Sequence, residues 1–156
     1  MIRITQNTLR ELTEIAASSD RLRKNKNYHP VLSDTLQRML NALEPGTYVQ
    51  PHKHENPDKR EVFVILSGRV LVIEFDNQGE ITEHTILDQA LGNIIVEIQP
   101  RTWHTVISLQ KGSVVYEIKD GPYNPEDDKN FATWAPKEGD KECEDYNKGL
   151  LKKVLG

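Results

Sequence analysis

After Gly46 the hydrophobic residues fall into short runs of valine, isoleucine, phenylalanine and tyrosine, and each run is bounded by glycine, aspartate, asparagine or proline. Such runs, separated by turn signals like Ser67-Gly68, are typical of β-strands. Their regular spacing predicts an all-β sandwich or small barrel. The predicted strands cover residues 48–54, 62–66, 70–75, 81–87, 93–98, 104–108 and 114–119.

The segments on either side of these strands have different patterns. Residues 8–18 carry apolar side chains at helical spacing, with Thr8 and Glu11 as a predicted capping box. Residues 36–43 fit either a strand or a helix, because so short an apolar run has no decisive period. Residues 146–155 predict a short amphipathic helix that Gly149 weakens.

Residues 120–145 are rich in proline and charge, so we predict a loop that wraps around the strands, anchored by Tyr123, Phe131 and Trp134. A chain of 156 residues has the length of one domain that can bury a core without disulfides. We therefore predict a single domain. Its predicted parts are an N-terminal helix with an edge segment (1–43), a β core (44–119) and a wrapping tail with the C-terminal helix (120–156).

Charge and cysteine content narrow the classes of partner and compartment. The 20 lysines and arginines are outnumbered by 24 aspartates and glutamates, and a net charge of -4 argues against nucleic acid or a membrane surface as partner. Cys143 is the only cysteine, which suits a reducing compartment. No apolar run is long enough for a signal peptide or a membrane span. These features predict a cytoplasmic protein with a small-molecule ligand.

The stretch PHKHENPDKREVFVILSG, residues 51–68, holds the residues that suggest chemistry. His52 and His54 project to one face of an extended segment, because side chains alternate along a strand. Glu61 opens the next apolar run, and His104 begins a later one. Three neutral imidazoles and one carboxylate suit a divalent transition metal such as iron, manganese, nickel or zinc. Four protein ligands on an octahedral ion leave positions open for water or substrate, as in catalytic metal sites.

A simpler interpretation of the two histidines is also open. The surrounding sequence PHKHENPDK is hydrophilic, so His52 and His54 also fit a solvent-exposed loop. Their joint spacing with Glu61 and His104 favours the metal interpretation.

These residues resemble the motifs of a known superfamily. The pattern G-x5-H-x-H followed by E-x6-G, over residues 46–68, resembles the first cupin motif, and QPRTWH, residues 99–104, resembles the second. More narrowly, the chain is similar to cupin-fold metalloproteins of the WbuC family in the stretches RLRKNKNYH, QRMLNALEPGTYVQPHKH, TWHTV, EIKDGPYNP and ATWAP. The resemblance implies a cupin double-stranded β-helix, or jelly roll, with short flanking helices. It also implies metal ligands at His52, His54, Glu61 and His104.

Two features depart from the usual cupin pattern. The interval between His54 and Glu61 is longer than usual, which leaves Glu55 as an alternative carboxylate, although its adjacency to His54 points it to the opposite face. Gln99 and Arg101 stand where proline and glycine are usual. We therefore expect a different geometry in the turn before the last histidine.

Polar residues outside the motifs are candidates for ligand contacts. In an extended chain Arg21, Arg23, Asn27 and His29 share one face. This row predicts either a rim that binds an anionic or sugar-like ligand, or an edge strand whose charges block aggregation. Gln50 lies on the face of His52 and is a further predicted ligand contact.

Three residues are candidates for catalysis. Glu117 and Lys119 share one face of their predicted strand, where they form either a weak surface ion pair, the favoured interpretation, or an acid and base inside the pocket. Tyr48 lies on the face of His52 and is either a pocket residue or part of the core.

The resemblance implies a function as well as a fold. It points to a metal-binding cupin that binds or acts on a small polar molecule, such as a sugar or sugar nucleotide of surface-polysaccharide metabolism, by isomerisation, epimerisation or hydrolysis. An iron-dependent dioxygenase and a non-catalytic sugar-binding or sensor module are the alternatives. Because cupin sheets often pack against one another, a homodimer is a further expectation.

Overall fold

The computed structural model describes residues 1–156, which form two α-helices and ten β-strands. The helices are α1 (Gln6–Ala17) and α2 (Cys143–Leu155), and a 3₁₀ turn covers Gln89–Leu91. The first five strands are β1 (Arg23–Asn27), β2 (Leu36–Leu43), β3 (His52–Lys53), β4 (Glu61–Ser67) and β5 (Val70–Phe75). The remaining strands are β6 (Ile81–Leu87), β7 (Ile95–Ile98), β8 (Trp103–Ser108), β9 (Ser113–Asp120) and β10 (Asn130–Phe131).

The strands build two five-stranded antiparallel sheets. Sheet I has the order β1-β2-β9-β4-β7, and sheet II has the order β10-β3-β8-β5-β6. The chain passes from one sheet to the other between β2 and β3, between β3 and β4, and between β4 and β5, as in a jelly roll. The predicted all-β architecture with short flanking helices is confirmed.

The space between the sheets changes from polar to apolar along its length. In the register of β4 with β9, Glu61 lies opposite Lys119 and Phe63 opposite Glu117, and the next inward pair is apolar. The apolar end is filled by nine buried side chains and excludes water, whereas the polar end has no such filling. The nine residues are Leu43, Phe63, Ile65, Val70, Val72, Leu87, Ile98, Val106 and Val115.

The two helices cover the outer faces of the sheets. Leu9, Leu12 and Ala16 of α1 pack against the outer face of sheet I, and Leu150 of α2 packs against the outer face of sheet II. This cover explains the nearly continuous apolar sequence of β5, whose side chains are buried on both faces. No helix combines the length and the apolarity needed to cross a bilayer.

Several local predictions differ from the structure. The first helix begins one turn earlier than predicted, with Thr5 as its N-cap, and Thr8 instead of Glu11 completes the capping box. Residues 36–43 form a strand because β9 pairs with them along their whole length and β1 pairs with residues 39–43. Of the predicted strand 48–54 only β3, His52–Lys53, is a strand in the structure. The side chains before His52 therefore do not alternate between two faces as predicted.

The segment between β9 and α2, residues 121–142 and here called the strap, wraps around one end of the sandwich. Trp134 anchors it, with its ring centroid 5.1 Å from that of Phe75 and 6.0 Å from that of Trp103. Phe131 is not an anchor, because β10 pairs at the edge of sheet II and leaves this side chain 52% exposed. Tyr123 is half-buried.

Candidate metal centre and its cavity

His52, His54, Glu61 and His104 converge at the polar end of the space between the sheets. His52 in β3 pairs directly with His104 in β8, and Glu61 begins β4 in the opposite sheet. One potential ligand atom from each residue lies within 4.8 Å of the others. Every one of the four is at most 4% exposed. The surface-loop interpretation of the two neighbouring histidines is therefore wrong.

Each imidazole is oriented by a backbone carbonyl behind it. Nδ1 of His52 lies 2.9 Å from the carbonyl oxygen of Gln50, and Nδ1 of His104 lies 2.9 Å from that of Thr102. Nδ1 of His54 contacts the carbonyl oxygen of Asp128. A carbonyl only accepts, so Nδ1 of each ring must donate. A neutral ring then carries its lone pair on Nε2, the tautomer that metal-binding histidines need.

The three Nε2 atoms face the carboxylate of Glu61. Oε2 of Glu61 lies 2.9 Å from Nε2 of His104 and 3.5 Å from Nε2 of His54. Nε2 of His52 and Nε2 of His54 are buried without any hydrogen-bond partner. Buried polar atoms are rarely left unsatisfied. A divalent cation among these atoms satisfies the free lone pairs and the carboxylate together, so the residues present fit a metal site.

The ionisation of the cluster suits the same conclusion. Burial, followed by the charge of Lys129, holds the pKa of His52 well below its usual range, so this ring is neutral at physiological pH. Burial acts to raise the pKa of Glu61, but contacts with His104 and His54 and the charge of Lys119 hold it well below the usual range. Glu61 is therefore an anion beside the neutral ring of His52.

The structure decides between the two candidate carboxylates and corrects one expectation about the turn. Glu55 lies outside the cluster, where it pairs with Lys53, so Glu61 is the carboxylate that meets the histidines. Arg101 has a φ of +67°, in the left-handed region that favours glycine. The expected change of turn geometry is thus not observed. The backbone N–H of Arg101 donates to the carbonyl oxygen of His54 at 3.0 Å, which joins the turn before His104 to the other ligand segment.

A buried ion network lies beside the cluster. The ammonium of Lys59 donates to Oδ1 of Asp128 at 2.7 Å, and that of Lys119 donates to Oδ2 at 2.6 Å. Lys119 also lies 3.9 Å from Oε1 of Glu61. Burial acts to raise the pKa of Asp128, but the charge and hydrogen bond of Lys119 and those of Lys59 lower it. The strap is thereby tied to the metal cluster through one residue, whose carbonyl also orients His54.

A cavity of about 700 Å³ opens from this cluster to the surface. Edge strand β1 and the segments next to it supply its rim, so the predicted pocket rim and the predicted charged edge strand are the same feature. The predicted ligand contacts that line it are Arg21, Arg23, Asn27 and His29. Glu138 of the strap pairs with Arg21 at 2.7 Å and with Arg23 at 2.6 Å, so both guanidinium groups already have an anionic partner.

Two predicted contacts lie elsewhere. The side-chain amide of Gln50 donates to the carbonyl oxygen of Ala132 at 3.2 Å, and only its backbone carbonyl serves the site, through His52. The hydroxyl of Tyr48 donates to the carbonyl oxygen of Pro136 at 2.7 Å. Burial raises the pKa of Tyr48. Neither side chain lines the cavity, because regular strand geometry begins only at His52.

Glu117 and Lys119 are cavity residues, and the favoured prediction of a surface ion pair is wrong. Both are buried because their face of β9 turns toward sheet II. Burial and the nearby charge of Glu61 raise the pKa of Glu117 to about 8, and Asn41 donates to its carboxyl group. Burial acts to lower the pKa of Lys119, but the charges of Glu61, Glu117 and Asp128 raise it. At neutral pH the cavity therefore contains a protonated acid beside a cation.

Comparison with known proteins identifies the family. The sequence model described as "Domain of unknown function (DUF6016)" matches residues 4–87, more than half of the chain. The chain belongs to the DUF6016 family. This match does not confirm membership of the WbuC family. No curated protein matches the DUF6016 chain in sequence.

Solved structures show the fold of the DUF6016 chain. The capsular polysaccharide assembling protein CapF from Staphylococcus aureus is similar with a TM-score of 0.60 and 20% identity, over 72% of this chain and 30% of CapF. Oxalate decarboxylase from Bacillus subtilis is similar with a TM-score of 0.52 and 15% identity, over 70% of this chain and 27% of that protein. The DUF6016 chain thus spans about a third of the length of these relatives or less.

A relative of more similar length is a cupin superfamily protein from Desulfitobacterium hafniense, with a TM-score of 0.52 and 12% identity over 70% of this chain and 86% of that one. At these identities the similarity shows the fold alone. The DUF6016 chain has the cupin jelly roll.

Sequence reasoning missed three polar residues of the DUF6016 chain that surround the cluster. Lys59 and Asp128 form the buried network, and Lys129 lines the cavity. Lysine and aspartate in hydrophilic loops are ordinarily exposed. The long interval between His54 and Glu61 was the one available signal, since it gives Lys59 the chain length to reach under the strap.

Proposed function

We propose that this chain is a metal-dependent cupin whose cavity takes up a small polar molecule of the sugar or sugar-nucleotide class and promotes its isomerisation, epimerisation or hydrolysis. One observation carries the proposal. Three imidazoles, each fixed by a backbone carbonyl, turn their Nε2 atoms toward a single carboxylate at the inner end of a cavity of about 700 Å³. A cavity of this size suits a ligand of a few hundred daltons.

His52, His54, Glu61 and His104 are the proposed metal ligands. A divalent ion of iron, manganese, nickel or zinc suits this donor set. When bound, such an ion supplies a Lewis acid that polarises a carbonyl or hydroxyl oxygen. The carbonyl groups behind the three rings place the proton on Nδ1 and fix the orientation of each ring, which is the contribution of the chain to affinity.

Glu117 and Lys119 are the proposed proton-handling and charge-stabilising groups. Both line the cavity, and in the pairing of β9 with β4 Lys119 lies directly opposite Glu61 while Glu117 lies opposite Phe63, two residues further along β4. The carboxyl group of Glu117 holds a proton or releases it toward the ligand, while Asn41 fixes its orientation. The ammonium of Lys119, held by Asp128, keeps a positive charge near the reacting region.

The sugar class is supported by two lines of similarity and by the cavity rim. The structural neighbour CapF is named as a capsular polysaccharide assembling protein. The sequence resembles the WbuC family, membership of which we also propose. Asparagine and arginine side chains on the rim are suited to hydroxyl-rich ligands.

Metal-loaded protein incubated with sugars, sugar phosphates and sugar nucleotides tests the proposal, with proton NMR as the readout of any chemical change. We expect conversion of at least one compound, and we expect His104→Ala to abolish it. Saturable binding without conversion would instead support a non-catalytic binding module. Failure of every compound to bind would contradict the sugar class.

A further inference from the structure

Lys129 is a cation of the cavity to which no role has been assigned. It lies on the strap between Asp128 and β10, and it lines the cavity that leads to the metal cluster. Its ammonium makes no ion pair and no hydrogen bond, in contrast to Lys119 and Lys59, which share Asp128. The residue as a whole is exposed, although its ammonium end is the part that enters the cavity and is shielded there.

Four carboxyl groups in this part of the protein already have partners, whereas Asp20, which also lines the cavity, makes no ion pair with Lys129. Both oxygens of Asp128 accept from lysines, and Glu138 at the rim holds two arginines. Glu61 faces the imidazoles, and Glu117 accepts from Asn41. The ammonium of Lys129 is thus left without an ion-pair partner in the protein.

Lys129 lines the same cavity as His52, Glu61 and His104, so its charge lies on the side of the metal cluster. Burial is the largest influence that lowers the pKa of His52, and the charge of Lys129 is the second. The charge of Glu61 in turn acts to raise the pKa of Lys129. Burial of its ammonium is the largest influence on Lys129 and lowers its pKa. Lys24, on β1, is another lining lysine without an ion pair, but its charge has no comparable influence on His52 or Glu61.

The charges around the inner end of the cavity do not balance. The ammonium groups of Lys59, Lys119 and Lys129 face two ionised carboxylates, Glu61 and Asp128, and a divalent ion would increase the positive excess. Excess positive charge in a narrow cleft attracts and retains anions. Lysine is a common partner of carboxylate and phosphate groups.

We propose that Lys129 anchors an anionic group, a carboxylate or a phosphate, of the ligand that occupies the cavity. The inference deepens the proposed function, on which it rests for the identity of the cavity as the ligand site. An anionic sugar, such as a sugar acid or a sugar phosphate, satisfies both proposals.

Isothermal titration of the metal-loaded full chain with malonate and with inorganic phosphate, at constant ionic strength, tests the anchor. Glycerol serves as the neutral probe. We expect at least one anion to bind, and Lys129→Ala to weaken its binding about tenfold or more, as for loss of a hydrogen bond to a charged group. Lys129→Arg, which keeps the charge, is expected to retain most of the affinity. Comparison of the malonate and phosphate arms distinguishes a carboxylate site from a phosphate site.

Lys26→Ala is the matched control, because Lys26 is an exposed lysine of β1 that does not line the cavity. Equal anion binding by wild type and Lys129→Ala, or no binding of either anion, would overturn the anchor. Elemental analysis of the same samples separates the two proposals. If wild-type protein takes up no metal but still binds an anion, and Lys129→Ala weakens that binding, the metal centre is contradicted and the anchor is supported.

Discussion

Replacement of Asp128 by asparagine is expected to be strongly destabilising, although the side chain keeps its shape. Asp128 is 2% exposed, and its two oxygens neutralise Lys59 and Lys119, which are 2% and 3% exposed. Removing one partner of a buried ion pair costs about 3–5 kcal/mol, because an uncompensated charge remains. For a chain of this length the melting temperature should fall by roughly 6–20 °C. Asparagine at position 128 retains the backbone carbonyl that orients His54, so loss of that contact does not contribute to the expected fall in stability.

Urea unfolding followed by circular dichroism measures this loss, with EDTA present so that metal binding does not contribute. The pKa of Asp128 is lowered in the folded protein, so its stabilisation is present above the ordinary aspartate range and is lost as the pH falls through and below about 4. Wild type and Asp128→Asn should therefore converge in stability at acidic pH.

The matched control is Glu80→Gln, which removes the exposed pair of Glu80 with Lys153 at 3.8 Å, where the side chains are 74% and 61% exposed. Its expected cost is below about 1 kcal/mol. If Asp128→Asn at neutral pH lies within about 1 kcal/mol of wild type, the buried network does not stabilise the fold as argued.

Two further predictions concern stability. Because the pKa of Glu117 is raised to about 8 in the folded protein, the free energy of unfolding declines as the pH rises from the ordinary glutamate range to 8. Glutamine cannot ionise, so the stability of Glu117→Gln relative to wild type should increase by more than about 1.4 kcal/mol between pH 5 and pH 8.5. Urea unfolding with EDTA measures this difference. A pH-independent difference between the two proteins would show that Glu117 ionises normally. Gly68 and Gly112 both have a φ of +72°, but a Cβ on Gly68 would lie 2.6 Å from Cα of Ser113, whereas one on Gly112 would meet open space. Gly68→Ala should therefore cost about 1–3 kcal/mol more than Gly112→Ala, and equal losses would contradict the clash.

The parts of the fold that sequence could predict are those that depend on local patterns. Residues 70–75 and 81–87 were predicted with the observed bounds, because apolar runs between turn residues specify strands without reference to distant parts of the chain. The polar-to-apolar change along β4 likewise follows from its own sequence, with Glu61 at the start and Phe63 and Ile65 behind it.

The convergence of the four proposed ligands was predictable for a similar reason. The alternation of His52 and His54, and the positions of Glu61 and His104 at the starts of strands, are local features that the superfamily resemblance relates to one another. What remained unpredictable depends on contacts between distant segments. Strand alternation placed Gln50 in the pocket and left Tyr48 open between the pocket and the core, but both side chains are hydrogen-bonded to strap residues more than eighty positions away.

The polar network around the cluster shows the same limit. Lys59 and Asp128 lie 69 positions apart, and apart from the long interval that precedes Glu61 neither hydrophilic segment indicates that the two side chains meet beneath the surface. Lys129 follows directly after Asp128, yet it points into the cavity without a partner. Local sequence specifies the strands that carry the ligands, whereas the path of the strap determines which charges surround them.

Elemental analysis of the protein as purified and after reconstitution with iron, manganese, nickel or zinc tests the central claim most directly. We expect about one transition-metal ion per wild-type chain, and its loss in His52→Ala with an unchanged circular dichroism spectrum, because Nε2 of His52 is a buried atom with no other partner. Wild-type protein that takes up no metal, or His52→Ala that retains the full amount, would contradict the metal centre.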